Sequence, residues 1–380
     1  MLINELTDHE KEVLAAAYLK AQNYTAAQAI GIFKQYGIDI ENDAKFSRRV
    51  KDAEEKGWLL HIVPEERFTP EVMAEIREIT CPRELVNNLK EQSPGLRNVS
   101  VFYSGSLATG PHDWDYRLKY HSPFSARRIL RILEQAQAKN VAISWGHQIA
   151  AVAAAMIATP MKRPLPTIRF VPTSGEPFQV PTRWPERTST AVVAQLHRRF
   201  GDEQERPLSM AGVAAVLSDA YEGGARDAVL QYISGLSDYK RILLGANGQP
   251  SLISQVDAMI ASVASIGQGL TMFHAELESI GGIPRDRLAE LVEGDIGGVL
   301  IKKRKLTAAQ EQEFANITRA WTGIRMEHLL DIATRANNTG KPGVIVVAIG
   351  KNKADILRTV LKMGLVTELI IDHDLAEALN

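Results

Sequence analysis

The sequence predicts an α/β protein in two unequal parts. A small N-terminal unit of winged helix-turn-helix type precedes a large C-terminal doubly wound α/β domain. Three observations carry this expectation. From Asn98 onward, apolar β-type runs alternate with helical patterns, as in a parallel sheet covered on both faces. Residues 1–64 hold three short helical patterns and one strand-like run. Ser47 to Val63 reads SRRVKDAEEKGWLLHIV, which is a basic, polar helix start, an acidic helix end, a Gly stop and a short apolar strand. The domain expectation is therefore 1–64 for the helical unit, 65–97 for a charged helical linker, and 98–380 for the large domain.

The elements follow in order. Thr7-Asp8-His9-Glu10 supplies a cap and an acidic first turn, followed by Val13, Leu14, Ala17 and Tyr18 at helical spacing. Thr25 caps a second helix to about Gln35, ended by Gly37, and a third runs from Asp43 to Lys56, stopped by Gly57. Trp58 to Val63 suits a strand closed by Pro64. In the large domain, strands are expected at Val99–Tyr103, Val141–Ser144, Thr167–Val171, Arg241–Gly245, Gly343–Ala348 and Thr367–Asp372. Helices are expected at Ser125–Ala138, Gln148–Thr159, Ser189–Arg199, Val229–Ser234 and Lys353–Met363. Ser104 to Tyr120 reads as an inserted loop.

Composition narrows the function classes. With 380 residues, two or three domains fit. Forty-four Lys and Arg stand against 45 Asp and Glu, for a formal net charge of −1. No global attraction to nucleic acid follows, so binding to DNA has to come from a local patch. The single cysteine, Cys81, excludes a disulfide framework within the chain and a Cys-rich zinc site. The N-terminal residues show no signal-peptide pattern. The longest apolar run, Ile149 to Thr159, is too short to span a bilayer. The expectation is a cytoplasmic protein with no membrane contact, no metal and no cofactor.

The third helix carries the DNA-reading candidates: Lys45, Ser47, Arg48, Arg49 and Lys51. Cations and hydroxyls at an exposed helix start suit phosphates and base edges, which accept hydrogen bonds. Arg48 or Arg49 has the fork geometry for a guanine edge. A plain solvated helix face has the same composition, and acidic residues outnumber basic ones over the first 68 positions.

In the large domain, the place for a ligand is beyond the carboxyl ends of the strands. The first candidate there is Ser144-Trp145-Gly146-His147-Gln148, between a strand and a helix start whose free N–H groups favour an anion. Thr173-Ser174-Gly175-Glu176, the Asn247-Gly248-Gln249 turn and the Gly350-Lys351-Asn352-Lys353 turn follow expected strands in the same way. Lys353 suits a ligand phosphate, or a surface helix start. Glu176, His274 and Asp295 are the acid–base candidates for an enzyme, although Asp295 in Glu-Gly-Asp-Ile-Gly-Gly equally suits a turn.

These segments, in this order, resemble the SorC-type (SorC/DeoR) sugar-binding transcriptional regulators of bacteria. SRRVKDAEEKGWLLHIV is similar to the family's SRLLKRAREEGIV helix and wing. NVAISWGHQIAAVAAAM resembles its strand, GWGRT loop and helix, and EGDIGGVLI resembles VGDILGRFF. TIRFVPTSGEP and RILLGANG resemble the family's strands with their following turns. The tail GVIVVAIGKNKADILRTVLKMGLVTELIIDHDLAEALN is similar to VAGGxxKAxAIxAALRGGLVxVLITDExTAxALL.

The resemblance covers nearly the whole chain. It implies an effector domain of the sugar-phosphate isomerase and deaminase kind, double-stranded operator DNA as partner, a small carbohydrate or sugar-phosphate effector, and a homo-oligomer (dimer or tetramer). It also implies a non-enzymatic role; the alternative is a sugar-phosphate isomerase or deaminase with an accessory domain. The chain departs from the pattern at His147-Gln148, where the family carries Arg-Thr. It departs again at Ser174-Gly175 and Ile349-Gly350, where the family carries paired glycines. A hydroxyl and a permanent cation are thereby missing from the phosphate loop, which opens the expectation to a neutral sugar, a polyol or a differently placed anion.

Overall fold

The computed structural model describes residues 6–21, 24–35, 38–56, 83–102, 113–161, 165–177, 185–217, 225–266, 272–280 and 282–379. The N-terminal unit is built from α1 (Asp8–Ala21), α2 (Ala26–Gln35) and α3 (Asp43–Glu55). Each start is fixed by a side chain that satisfies otherwise unpaired helix N–H groups. Thr7 and Glu10 bond reciprocally across the first turn of α1, as do Thr25 and Gln28 at α2. The Asn42 carboxamide oxygen accepts from the Lys45 N–H at 3.0 Å at α3. Phe46, Val50 and Ala53 recur along one stripe of α3 and are buried, Phe46 and Val50 in one cluster with Leu14, Tyr18 and Phe33, and Ala53 in another with Val13 and Ala17. The expected strand from Trp58 to Val63 and the first part of the linker lie outside the described residues.

The remainder of the expected linker belongs to the large domain. Helix α4 (Arg83–Glu91) packs on β1 (Asn98–Phe102), and Leu89 and Leu96 enter that domain's core. After β1 comes α5 (Asp113–Gln135), so Asp113–Tyr120 is helical rather than an inserted loop; residues 104–112 lie outside the described set. The reason for the helix is burial of one stripe: Leu118, His121, Phe124 and Ser125 lie under the sheet at helical spacing. Then follow β2 (Asn140–Ile143), α6 (His147–Ala158), β3 (Arg169–Pro172), α7 (Ser189–Phe200) and α8 (Ala225–Gly235).

The expected strand at Arg241–Gly245 does not form. Lys240–Leu244 is a wide helical turn, and within it Ile242 is buried while Leu244 is 57% exposed. A central parallel strand needs burial on both faces, and this segment offers one side only. The strand slot goes to β4 (Ala258–Ala261), where all residues are buried. Beyond it are β5 (Val263–Ser265), α9 (Met272–Ser279), α10 (Arg285–Leu291), β6 (Val292–Ile296), β7 (Val299–Lys302), α11 (Ala308–Ala320) and α12 (Met326–Thr339). The chain finishes with β8 (Gly343–Ala348), α13 (Ala354–Lys362), β9 (Glu368–Asp372) and α14 (His373–Leu379).

Six strands form one parallel sheet in the order β1-β9-β8-β4-β2-β3. Successive residues point to opposite faces. Ile143, Ile260, Val347 and Ile370 meet α5, α6 and α7, whereas Ala142, Met259, Val346 and Leu369 meet the face covered by α4, α12, α13 and α14. Two covered faces explain why the β8 sequence GVIVVA is apolar throughout. A smaller antiparallel sheet, β5-β6-β7, adjoins it. The β6–β7 connection is a tight turn at Gly297-Gly298, with φ of 59° and 92°. Both central residues at positive φ is the geometry that matches strand twist in a two-residue hairpin.

Candidate functional site

β2 connects outward to edge strand β3, whereas β4 is followed across the sheet by β8 and β9. The loops leaving β2 and β4 therefore diverge, and a crevice opens at the carboxyl ends of these two strands. Ser144 follows β2, and Gly146 caps α6 with φ 110°. Nothing lies within 4 Å of the point where a Gly146 side chain would start, so the space beside the helix start is clear.

Polar side chains converge below this opening. The Lys353 ammonium donates to the Gln148 carboxamide oxygen at 3.0 Å and to the Ser262 hydroxyl at 3.4 Å. The Ser262 hydroxyl in turn donates to the same Gln148 oxygen at 3.1 Å. Lys353 is 9% exposed, and burial pulls its ammonium down to about 8, against the attraction of Asp372 and Asp295. It is thus a buried cation rather than the surface helix-start lysine that its position allowed. Asp372, at the end of β9, accepts from the Gly350 and Leu375 N–H groups and from Arg117 at 2.9 Å. Its carboxyl is pushed up by burial. Arg117 also reaches Asp374 at 2.6 Å. His121 is fully buried, held by Ser125 at 3.0 Å, and burial followed by the Lys353 charge lowers it to about 3; it is a neutral imidazole at any ordinary pH.

The β6–β7 turn roofs the cluster. Asp295 accepts from the Gly298 N–H at 2.9 Å, which is its turn-shaping role. Its other oxygen lies 3.4 Å from His274, and both residues are buried. A side chain at Gly297 would come within 3.2 Å of Ser144, and one at Gly298 within 2.4 Å of the Trp321 ring. Trp321 leans on Trp145 with ring centres 5.5 Å apart. Trp145 is thereby part of the packing beneath the roof. His147 is half-buried at the rim.

Two atoms in this cluster point to a ligand. The Ser144 hydroxyl and the Gln148 carboxamide nitrogen are buried and have no hydrogen-bond partner. A buried polar group without a partner costs about 1–3 kcal/mol. One at the end of β2 and the other in the first turn of α6, beside a buried ammonium, make a donor set for hydroxyl or phosphate oxygens.

The other expected positions fare differently. Thr173 and Ser174 are completely buried and already satisfied: Thr173 donates to the Ile143 carbonyl, and Ser174 is tied to Ser189 by two bonds. A side chain at Gly175 would meet the Val213 carbonyl oxygen at 2.3 Å. This loop is packed against residues 213–215, and Glu176 bonds through its backbone to Val213 and Ala215. Asn247, Gly248 and Gln249 are exposed in a tight turn that leads to the amino end of β4. Because Arg241–Gly245 is not a strand, that turn does not follow one, and the expectation that it joins the site is corrected. Arg117, His121, Ser262 and Asp372 were not among the sequence candidates. Arg117 lies in the segment read as a loop and His121 just beyond it, four residues apart on one helix. Ser262 follows a strand of only four residues, too short to stand out.

On α3, Ser47 and Arg48 are exposed. Arg49 is half-buried and donates to Glu12 of α1 at 3.2 Å. Lys45 pairs with Glu41 and Lys51 with Glu55, both within one helical turn.

No helix among the described residues is long and apolar enough to cross a membrane. No family model and no curated protein matches the sequence. Solved structures do match in fold. The full-length sorbitol operon regulator SorC from Klebsiella pneumoniae aligns over 98% of this chain and 99% of its own, at 18% identity and a TM-score of 0.57. A DeoR family transcriptional regulator from Listeria monocytogenes covers 78% of this chain and 99% of its own, at 19% identity and a TM-score of 0.55. A transcriptional regulator from Streptococcus pneumoniae covers 78% and 95%, at 17% identity and 0.52. The chain has the fold of these regulators.

Proposed function

We propose that this protein is a sugar-responsive transcriptional regulator of the SorC type. The observation that carries the reading is the buried donor set at the sheet's carboxyl edge. The Ser144 hydroxyl and the Gln148 amide lack partners next to the Lys353 ammonium. The chain-long likeness to a full-length operon regulator supports it. The effector is a small carbohydrate or sugar phosphate, held by Ser144, Gly146, His147, Gln148 and Lys353, with Ser262 and the Asp295 turn around it. In this reading the N-terminal unit is a helix-turn-helix whose α3 enters the major groove of operator DNA. Ser47 and Arg48 then make the direct contacts. Lys45 and Lys51 approach phosphates after giving up their acidic neighbours, and Arg49 braces α3 on α1.

Effector binding changes operator affinity only if the effector binds the two arrangements of a homo-oligomer unequally. With acidic residues abundant around α3, affinity rests on a few contacts repeated across subunits rather than on blanket attraction. The test is a mobility shift with DNA from upstream of the protein's own operon, with and without candidate sugars. Specific binding that a sugar or sugar phosphate changes at least tenfold is expected. No binding to such DNA at low salt, in any sugar, would refute the reading. Gln148→Met should abolish the sugar response and leave DNA binding intact. The buried His274–Asp295 pair is the observation that an isomerase reading would use, and turnover of a sugar phosphate by the pure protein would favour that alternative.

A further inference from the structure

A second cavity, of about 650 Å³, lies outside the crevice. It opens between the β6–β7 hairpin, the start of α12 and the end of α13, on the far side of Gly298 from Ser144. Its volume falls within the usual range of small-molecule sites, roughly 300–1,000 Å³. Leu300, Phe314, Trp321, Ile324 and Met326 form the apolar wall, and Met363, 43% exposed, forms part of the lip.

The rim is cationic and only partly compensated. Lys302 is held by Glu311 at 2.7 Å. Arg325 donates to the Thr318 and Trp321 carbonyls, and Arg358 to Asp355 and the Ala378 carbonyl. Lys303, Arg304 and Lys362 are exposed, and the acids on the walls, Glu293 and Glu327, are outnumbered. An apolar wall under a surplus of ammonium and guanidinium groups is complementary to a molecule with a hydrocarbon or aromatic body and an anionic head. We infer that this cavity is a second ligand site, distinct from the sugar crevice, for a small amphiphilic organic anion.

The test uses the full chain and three probes in titration calorimetry: 8-anilinonaphthalene-1-sulfonate, its uncharged counterpart N-phenyl-1-naphthylamine, and inorganic sulfate. The naphthalene sulfonate is expected to bind with one site per chain, at least tenfold more tightly than either of the other probes. Thr359→Trp, which fills the wall, should weaken it at least tenfold. The double variant Lys303→Glu/Arg304→Glu, on the exposed rim, should weaken it about as much, with an unchanged melting temperature. Three results overturn the proposal: no binding of the sulfonate, binding that neither variant changes, or equal binding of the uncharged probe. Sedimentation of the same variants provides a fourth. Concentration-dependent association of the wild type that Thr359→Trp abolishes would make a second copy of the chain the occupant.

Discussion

Replacing Lys353 by Met removes a buried ammonium while keeping an unbranched side chain of similar length. In the folded protein burial lowers this group from 10.5 to about 8. The charged form is therefore disfavoured by folding, and the direction of the pH effect follows. Below about pH 8 both the folded and the unfolded chain carry the proton, and the full cost of burying the charge is present. Between about 8 and 10.5 the unfolded chain binds the proton and the folded chain does not, so this group makes stability rise with pH. Above 10.5 both are neutral and the cost is gone. A difference of 2.5 pKa units corresponds to about 3 kcal/mol, at 1.36 kcal/mol per unit. Urea unfolding of wild type and Lys353→Met at intervals from pH 7 to pH 11 isolates the effect, because the other lysines and tyrosines titrate in both proteins. The wild-type curve should gain about 3 kcal/mol on the variant across that window. Parallel curves would refute the assignment of Lys353 as a buried cation. The same titration sorts the effector class. A sugar phosphate bound against the ammonium should lose up to tenfold in affinity per pH unit above about 8, whereas a neutral polyol should not.

Gly298→Ala should destabilise the large domain by about 2–4 kcal/mol, read as a lower melting temperature, because its methyl meets Trp321 at a backbone φ of 92°. Arg48→Ala should cost about 1–3 kcal/mol of operator affinity if Arg48 reads a base, with the helical circular dichroism unchanged; full retention of affinity would remove it from the interface. Asn42→Ala should cost about 1 kcal/mol of stability in the N-terminal unit, because the α3 cap bond to the Lys45 N–H is lost. Ser144→Ala should leave stability unchanged or slightly raised, because the hydroxyl has no partner to lose, and should weaken effector binding; a marked loss of stability would show that the hydroxyl is structural.

Local pattern determined much of this molecule. Caps at Thr7, Thr25 and Asn42, and the i, i+4, i+7 stripe of α3, specify the N-terminal helices before any long-range contact forms. The run GVIVVA is apolar on both faces, and only a strand in the middle of a covered sheet buries it fully. The Ser144–Gln148 turn was legible as a candidate site because a strand, a glycine and an apolar helix follow one another there. Pattern alone gave the strand to RILLG and passed over AMIA, and the structure reverses that choice. RILLG and AMIA are both short and apolar, and only the room beside β2 and β8, together with exposure of Leu244, assigns the slot to Ala258–Ala261. That choice moved Asn247–Gln249 out of the site and brought Ser262 in. Tertiary contact also decided the state of Lys353, because burial and partners from other elements set its charge, whereas the turn role of Asp295 is made by Gly298, three residues away. Arg48 and Arg49 make the same point: adjacent and chemically identical, they are separated by Glu12, a residue of another helix that binds only Arg49.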